Sequence, residues 1–259
     1  MKIISCGITD IGRKRQRNED SYLVNDKLGL YIVADGMGGH AGGEFASKIA
    51  VTTVEEIIRG VDRTKSNVPD QTYLDSPEDE QIDGEEQERL RDAIARAGNM
   101  IVRRAIEEPE LKGMGTTSTV MLIRDGNAYF AHVGDSRAYC IREGQIIQIT
   151  EDHSLVHEQL KSGLITEEEA KTHQLKNIIT RSVGVQEEVE VDTIVWKIMQ
   201  GDFYVMCSDG LSNMVDDQEI LSIVKEDNLE LSARDLVDTA NQRGGEDNIT
   251  LILLKVLEN

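Results

Sequence analysis

TTSTVMLIRDGNAYFAHVGDSRAYCIREGQIIQI, residues 116–149, is the stretch that decides the architecture. It holds four apolar runs, at 116–124, 127–133, 137–142 and 145–149, rich in the Val, Ile, Thr and Tyr that favour strands. The joins are Asp125-Gly126-Asn127, His132-Val133-Gly134-Asp135-Ser136 and Arg142-Glu143-Gly144. Gaps this short have hairpin spacing and leave no room for the crossover helix that joins parallel strands, so antiparallel pairing follows. Working outward, similar runs at 2–9, 21–24, 28–34, 189–196, 202–208 and 248–257 bring the total to about ten strands. Two segments carry helical period. From Glu44 to Arg59 the residues Phe45, Ile49, Ala50, Val54, Ile57 and Ile58 share a face, and from Glu85 to Ile106 the series Leu90, Ile94, Ala97, Ile101 and Ala105 does the same. Weaker helices are predicted at 152–161, 166–173, 217–226 and 231–241, the last opened by Ser232 as N-cap. The expected fold class is α+β: a central antiparallel β-sandwich with helices packed outside it, one domain spanning 1–259.

The chain has 259 residues with 48 Asp and Glu against 28 Lys and Arg, a net charge of −20. Nucleic acids and anionic membranes repel such a field, so neither is an expected partner. Cys6, Cys140 and Cys207 are widely separated and lie in or beside apolar runs, which reads as buried thiols in a reducing compartment. The N-terminal MKIISCGITDIGRK lacks a signal peptide's apolar segment, and no run approaches the length of a membrane span, so a cytoplasmic protein is expected. No exposed apolar stripe or heptad stands out, which favours a monomer. Residues 68–89 carry nine acids, one base, Pro69 and Pro77, and read as an acidic, solvated insertion.

Two strands end alike. Leu30–Ala34 runs into Asp35-Gly36-Met37, and Phe203–Ser208 runs into Asp209-Gly210-Leu211. A third ends in Gly134-Asp135, a fourth begins just after Asp247-Asn248, and Glu19-Asp20 precede the strand at Ser21. Carboxylates gathered at the rim of a rigid sheet repel one another unless a cation compensates them. Oxygen-only ligands select magnesium or manganese over zinc, and glycine after Asp35 lets the Gly36 carbonyl join them. Two such ions about 3.5–4 Å apart would supply a hydroxide nucleophile and clamp an in-line displacement at phosphorus. Upstream, Arg13-Lys14-Arg15-Gln16-Arg17 sets four cations beside the Glu19-Asp20 pair, with Arg15 the candidate for phosphate contact.

With these residues in hand, the chain resembles the bacterial branch of the metal-dependent, type 2C protein serine/threonine phosphatases. The matching stretches run in the family's order across residues 15 to 248: Arg15-Gln16-Arg17-Asn18-Glu19-Asp20, Val33-Ala34-Asp35-Gly36-Met37-Gly38-Gly39-His40, Gly115-Thr116-Thr117, His132-Val133-Gly134-Asp135-Ser136-Arg137, Asp152-His153-Ser154, Thr180-Arg181-Ser182-Val183-Gly184, Ser208-Asp209-Gly210-Leu211 and Gly245-Glu246-Asp247-Asn248. The resemblance implies a sandwich in α-β-β-α layers with a two-ion manganese or magnesium centre, extended by a looser third ion in bacterial members. It implies Asp35 as the bridging ligand, Gly36 as its backbone partner, and Asp209 and Asp247 as further ligands. Glu19 and Asp20 match residues that hold metal-bound water or the second ion, and Asp135 with Asp209 the pair for the third. Arg15 matches the phosphate-binding arginine, and residues 155–179 a variable flap beside the cleft. The implied substrates are phosphorylated proteins, in company with a serine/threonine kinase. Animal members have His directly after Asp-Gly where this chain has Met37, so the leaving-group acid falls to His40, three residues on, or to a metal-bound water.

Two other readings bear on the same residues. Gly36-Met37-Gly38-Gly39-His40-Ala41 fits a dinucleotide-binding fingerprint, but Asp35 would repel the pyrophosphate. A catalytically silent phosphoprotein-binding regulator on the same fold predicts a broken acid set, whereas every expected acid is present.

Overall fold

A computed structural model describes residues 2–38, 42–64, 78–171, 173–186, 188–224 and 228–257. The chain order is β1 (Lys2–Asp10), β2 (Ser21–Asn25), β3 (Leu30–Ala34), β4 (Gly36–Met37), α1 (Gly42–Thr64), α2 (Glu78–Glu107), β5 (Gly115–Thr116), β6 (Ser118–Arg124), β7 (Asn127–Val133), β8 (Arg137–Arg142) and β9 (Gln145–Gln148). It continues with α3 (Leu155–Lys161), α4 (Glu167–Lys171), β10 (Asp192–Lys197), β11 (Phe203–Cys207), α5 (Asp209–Ser212), α6 (Asp217–Ile223), α7 (Leu229–Gln242) and β12 (Ile249–Leu257). One antiparallel sheet orders β1-β12-β11-β8-β9 and the other β10-β7-β6-β3-β2, while β4 and β5 form a small third pair.

The strands alternate between two apolar layers, which is why they read as unbroken hydrophobic runs. Tyr31, Val33, Met121, Phe130, Tyr204, Met206, Ile252 and Leu254 fill the space between the sheets. The outward residues Ile32, Val120, Leu122 and Tyr129 meet Val54, Leu90, Ile94 and Ile101 of α1 and α2. On the far side Val205, Leu251 and Leu253 meet Leu236 and Ala240 of α7. The expected α-β-β-α layering is therefore the observed one, held by three stacked cores whose burial drives folding. Two of the short joins are the predicted hairpins. Asp125 and Gly126 have φ of 48° and 80°, and Glu143 and Gly144 have 52° and 73°, the paired positive values of a type I′ turn.

Four expectations need correction. The join at 132–136 is not a hairpin: β7 pairs with β6 and β10 while β8 pairs with β11 and β9, so the chain crosses from one sheet to the other at Gly134-Asp135-Ser136. Gly134 makes the crossing with φ of 113°, where a Cβ would collide with Thr117. The acidic insertion does not extend to residue 89, because α2 begins at Glu78, and Glu86 is buried in an ion pair with Arg89. Residues 68–77 lie outside the described residues. The N-cap of α7 is Asn228, whose Oδ1 accepts from the Leu231 N–H at 3.0 Å, and Ser232 is buried one turn in. The 116–124 run breaks at Thr117 into β5 and β6.

The cysteines are free; Cys140 and Cys207 are buried as expected but Cys6 is only partly so, and desolvation pushes Cys6 and Cys140 up to about 11 and Cys207 to about 12. Among the described residues no helix is long and apolar enough to cross a membrane.

Candidate metal centre

The acids singled out in the sequence converge on one end of the sandwich, delivered by both sheets. Asp35 leaves β3, and its backbone is pinned: its N–H donates to Thr117 Oγ1 at 2.8 Å, and its carbonyl accepts from the Thr117 N–H and Thr116 Oγ1, both at 2.8 Å. Gly36 then faces the backbone of Gly43 and Glu19 so closely that a Cβ on Gly36 or Gly43 would overlap them. Glycine at both positions is what lets three chain segments meet around the Asp35-Gly36 turn. Gly210 plays the same part opposite, since a Cβ there would strike the Asn248 carbonyl; this brings Asp209 beside Asp247.

Asn248 ties the 11–20 arm to the start of β12. Its Nδ2 donates to the carbonyls of Ile11 and Arg17, both at 2.9 Å, and its Oδ1 accepts from the Glu19 N–H at 2.8 Å. Its own N–H donates to Asp247 Oδ1 at 2.8 Å. Ser208, at the end of β11, donates to Asp20 Oδ2 at 2.9 Å. Sequence reasoning assigned no role to Asn248 or Ser208; the available signal was their adjacency to Asp247 and Asp209.

Burial dominates the electrostatics, and mutual repulsion adds to it. Desolvation pushes the Asp20 carboxyl up to about 7, with Asp209 and Asp247 adding to the rise against hydrogen bonds from Thr250 and Ser208. Desolvation likewise raises Asp35 well above the usual carboxylate range, reinforced by Asp20, Asp209, Asp135 and Asp247. Asp135 and Asp209 rise for the same reasons, and Glu19 rises on desolvation despite Arg15 nearby. Among the described residues, Asp20 Oδ1, Asp135 Oδ1 and Asp209 Oδ1 are buried without a hydrogen-bond partner. Orphaned carboxylate oxygens among like charges are costly to fold around and fit a hard divalent cation. Among the described residues no three His, Cys, Asp or Glu side chains close tightly around one point. An all-oxygen donor set that includes a backbone carbonyl fits magnesium or manganese, which keep several waters in their coordination.

Arg15 enters from the exposed arm and donates through Nη2 to Asp247 Oδ2 at 2.5 Å. Burial would lower its pKa, but Asp247, Asp35 and Glu19 raise it, so the guanidinium stays charged at the rim. The structure thus unites Arg15, Glu19, Asp20, Asp35, Gly36, Asp135, Asp209 and Asp247; His40 lies outside the described residues. From Asp135 and Asp209 a cleft of about 830 Å³ runs outward between α3, α4 and the 212–218 segment, with Lys176 and His157 on its wall. Sequence reasoning placed a flap at 155–179 but gave no role to Lys176, which electrostatically favours the charged form of Asp209.

Comparison with known proteins bears on this site. The family model for protein phosphatase 2C matches residues 11–253. A serine/threonine phosphatase stp of Listeria monocytogenes is 40% identical over 251 residues, 95% of this chain and 93% of the relative. The crystal structure of the Mycobacterium tuberculosis serine/threonine phosphatase PstP/Ppp superposes with a TM-score of 0.85 at 32% identity, covering 99% of both chains. The catalytic domain of a PstP in complex with 2 manganese ions matches at TM-score 0.82 and 32% identity, again over 99% of each chain.

Proposed function

Since the chain belongs to the protein phosphatase 2C family, we propose that it hydrolyses phosphoserine and phosphothreonine in proteins with manganese or magnesium at the acidic end of the sandwich. The observation that carries the reading is the set of carboxylates from both sheets with buried, partnerless oxygens beside a charged arginine. Divalent ions held there would supply Lewis-acid charge and lower the pKa of a water for in-line attack at phosphorus. Asp35, the Gly36 carbonyl, Asp209, Asp247, Glu19 and Asp20 would hold two ions at the end of the sandwich, and Asp135 with Asp209 a third. Arg15 presents a planar fork to the phosphate oxygens and orients the monoester against the acids. His40 is the proposed proton donor to the leaving group, on the sequence alone. The 155–179 segment forms a flap beside the cleft of one catalytic domain. The partners in this reading are phosphorylated substrates of a serine/threonine kinase, met by a cytoplasmic monomer.

The deciding experiment is hydrolysis of p-nitrophenyl phosphate and a phosphothreonine peptide with manganese, magnesium or chelator. Metal-dependent turnover is expected on both, and Asp35→Asn and Asp209→Asn should each lower it by at least about 10²–10³-fold, the scale of losing one group that stabilises developing charge. Turnover that survives chelation, or either substitution, overturns the reading.

A further inference from the structure

Two buried histidines stand next to the centre and have no part in the chemistry above. His132, in β7, donates through Nε2–H to the Glu151 carbonyl at 3.0 Å and turns Nδ1 to the Thr119 hydroxyl, also at 3.0 Å. His153 lies against it, ring centroids 4.9 Å apart. His153 Nδ1 accepts from the Gly134 N–H at 3.1 Å. A nitrogen that accepts carries no proton, so the ring proton sits on Nε2, which donates to Asp192 Oδ2 at 3.0 Å, while Arg181 Nη1, 3.4 Å from that nitrogen, donates to Asp192 Oδ1 at 2.9 Å. The backbone of His153 also donates to the Gly134 carbonyl at 2.7 Å, so one residue grips both polar groups of that glycine.

The neighbouring residue holds the other side of the same turn. Asp152 takes Arg137 as a fork, Nε to Oδ1 at 2.9 Å and Nη2 to Oδ2 at 2.6 Å. Between these two grips, Ser136 Oγ meets Thr117 Oγ1 at 2.8 Å, the atom that receives the Asp35 N–H. The crossover between the sheets is therefore fixed at Gly134, Ser136 and Arg137, and the residue in the middle is Asp135, 7% exposed with Oδ1 unpartnered. His153 additionally anchors the flap: its carbonyl accepts from the Thr180 N–H at 2.8 Å, and Leu155, two residues on, donates to the Ile178 carbonyl at 2.9 Å.

We propose that His153 is a positioning residue whose Nδ1, acting through Gly134, aims the Asp135 carboxylate at a divalent ion and ties that aim to the base of the flap. The inference rests on the assignment of Asp135 to an ion. It predicts different outcomes for two amides of similar size. In His153→Asn the side-chain Oδ1 falls near the place of Nδ1 and still accepts from Gly134; in His153→Gln the Nε2 falls near the place of the ring Nε2 and the acceptor is lost.

The test uses the full chain and three readouts. In chelator, the Gly134 amide should exchange with solvent about fivefold faster in His153→Gln than in wild type, since loss of one hydrogen bond is worth about 1 kcal/mol. In a calorimetric manganese titration His153→Gln should weaken the loosest ion about 10–100-fold, the usual effect of removing a residue that orients a ligand. His153→Asn should keep both properties near wild type. In wild type, ring ¹⁵N shifts should report the Nε2–H tautomer, a readout that needs no variant to fold. The proposal is overturned by an Nδ1–H tautomer, by His153→Gln with unchanged exchange and manganese isotherm, or by His153→Asn losing both like His153→Gln. Asp135→Asn separates the two layers: if it leaves the isotherm unchanged, the metal assignment itself fails and the proposal falls with it. If Asp135→Asn loses an ion that His153→Gln keeps, only the role of His153 is wrong.

Discussion

β11 carries an acid at each end, and the two are treated in opposite ways. Asp202, 1% exposed, precedes the strand and receives four donors: Arg142 Nε at 2.8 Å, Arg142 Nη2 at 2.7 Å, the Met199 N–H at 2.8 Å and the Tyr204 hydroxyl at 3.0 Å. Asp209 follows the strand, meets Asp35, Asp135 and Asp247, and leaves Oδ1 buried without a partner. The same five-residue strand thus ends in a satisfied structural acid and in a frustrated one. Burial of a carboxylate says little about its job; the partners decide. Where every oxygen is met and the countercharge comes from the chain, the acid serves the fold, and where oxygens are orphaned among like charges the missing partner is a cation.

The sharpest way to break this contrast is to neutralise each end. Asp202→Asn removes the countercharge of Arg142 and weakens its charge-assisted bonds, and should cost about 1.5–3 kcal/mol in urea unfolding, while the kcat of the folded fraction stays near wild type. Asp209→Asn should do the reverse: activity is lost, yet in chelator the protein melts no lower than wild type, because one member of a repelling cluster has been removed. An Asp209→Asn protein that loses as much chelated stability as Asp202→Asn would erase the distinction.

The contrast also sets a pH dependence. Asp20 rises from 3.8 to about 7 on folding, chiefly through desolvation, and Asp35, Asp135 and Asp209 rise in the same direction. A carboxyl whose folded pKa is raised binds protons more readily in the native state, so its contribution is full near pH 4 and is lost as pH climbs through about 7. In chelator, urea midpoints should therefore fall between pH 5 and pH 7.5, and added manganese should restore them at the higher pH. Glu219, held down to about 2 by Arg243, is ionised across that window and does not offset the trend. A chelated protein that gains stability from pH 5 to 7.5 would contradict the assignment.

How much of this was legible in the sequence follows from the range of the interactions. Strands buried on both faces, such as Leu30–Ala34 and Phe203–Cys207, announce themselves as continuous apolar runs, and the Asp125-Gly126 and Glu143-Gly144 turns are specified by their own residues. The turn at 132–136 has the same spacing, but only distant partner strands tell a hairpin from a crossing between sheets. Acids at 78–89 look like a solvated loop until the helix that they open is seen, and Ser232 competes locally with the Asn228 that caps it. The strand-end acids could be picked out because charge against an apolar run is a local signal. Asn248, Ser208 and His153 could not be given roles, because each works through bonds to residues far along the chain, as Asn248 does to Glu19.

The basic arm holds the smallest of the contrasts, between one pinned cation and its exposed neighbours. Arg15 is engaged by Asp247, whereas Arg13, Lys14 and Arg17 lie exposed along the same loop. A charge-assisted bond to phosphate is worth about 1.5–3 kcal/mol, so Arg15→Ala should raise KM by about 10–100-fold for every monoester, p-nitrophenyl phosphate included. Neutralising Arg13, Lys14 and Arg17 together removes no such bond. On a chain of net charge −20, what they supply is a local attraction that draws an anionic phosphoprotein toward an otherwise repelling surface. Their loss should cut kcat/KM on phosphoproteins by up to about tenfold at low salt, leave p-nitrophenyl phosphate unchanged, and vanish toward 1 M salt, where the screening length is about 3 Å. An Arg15→Ala defect confined to protein substrates, or a triple variant whose defect ignores salt, would show that contact and steering are not divided in this way along the arm.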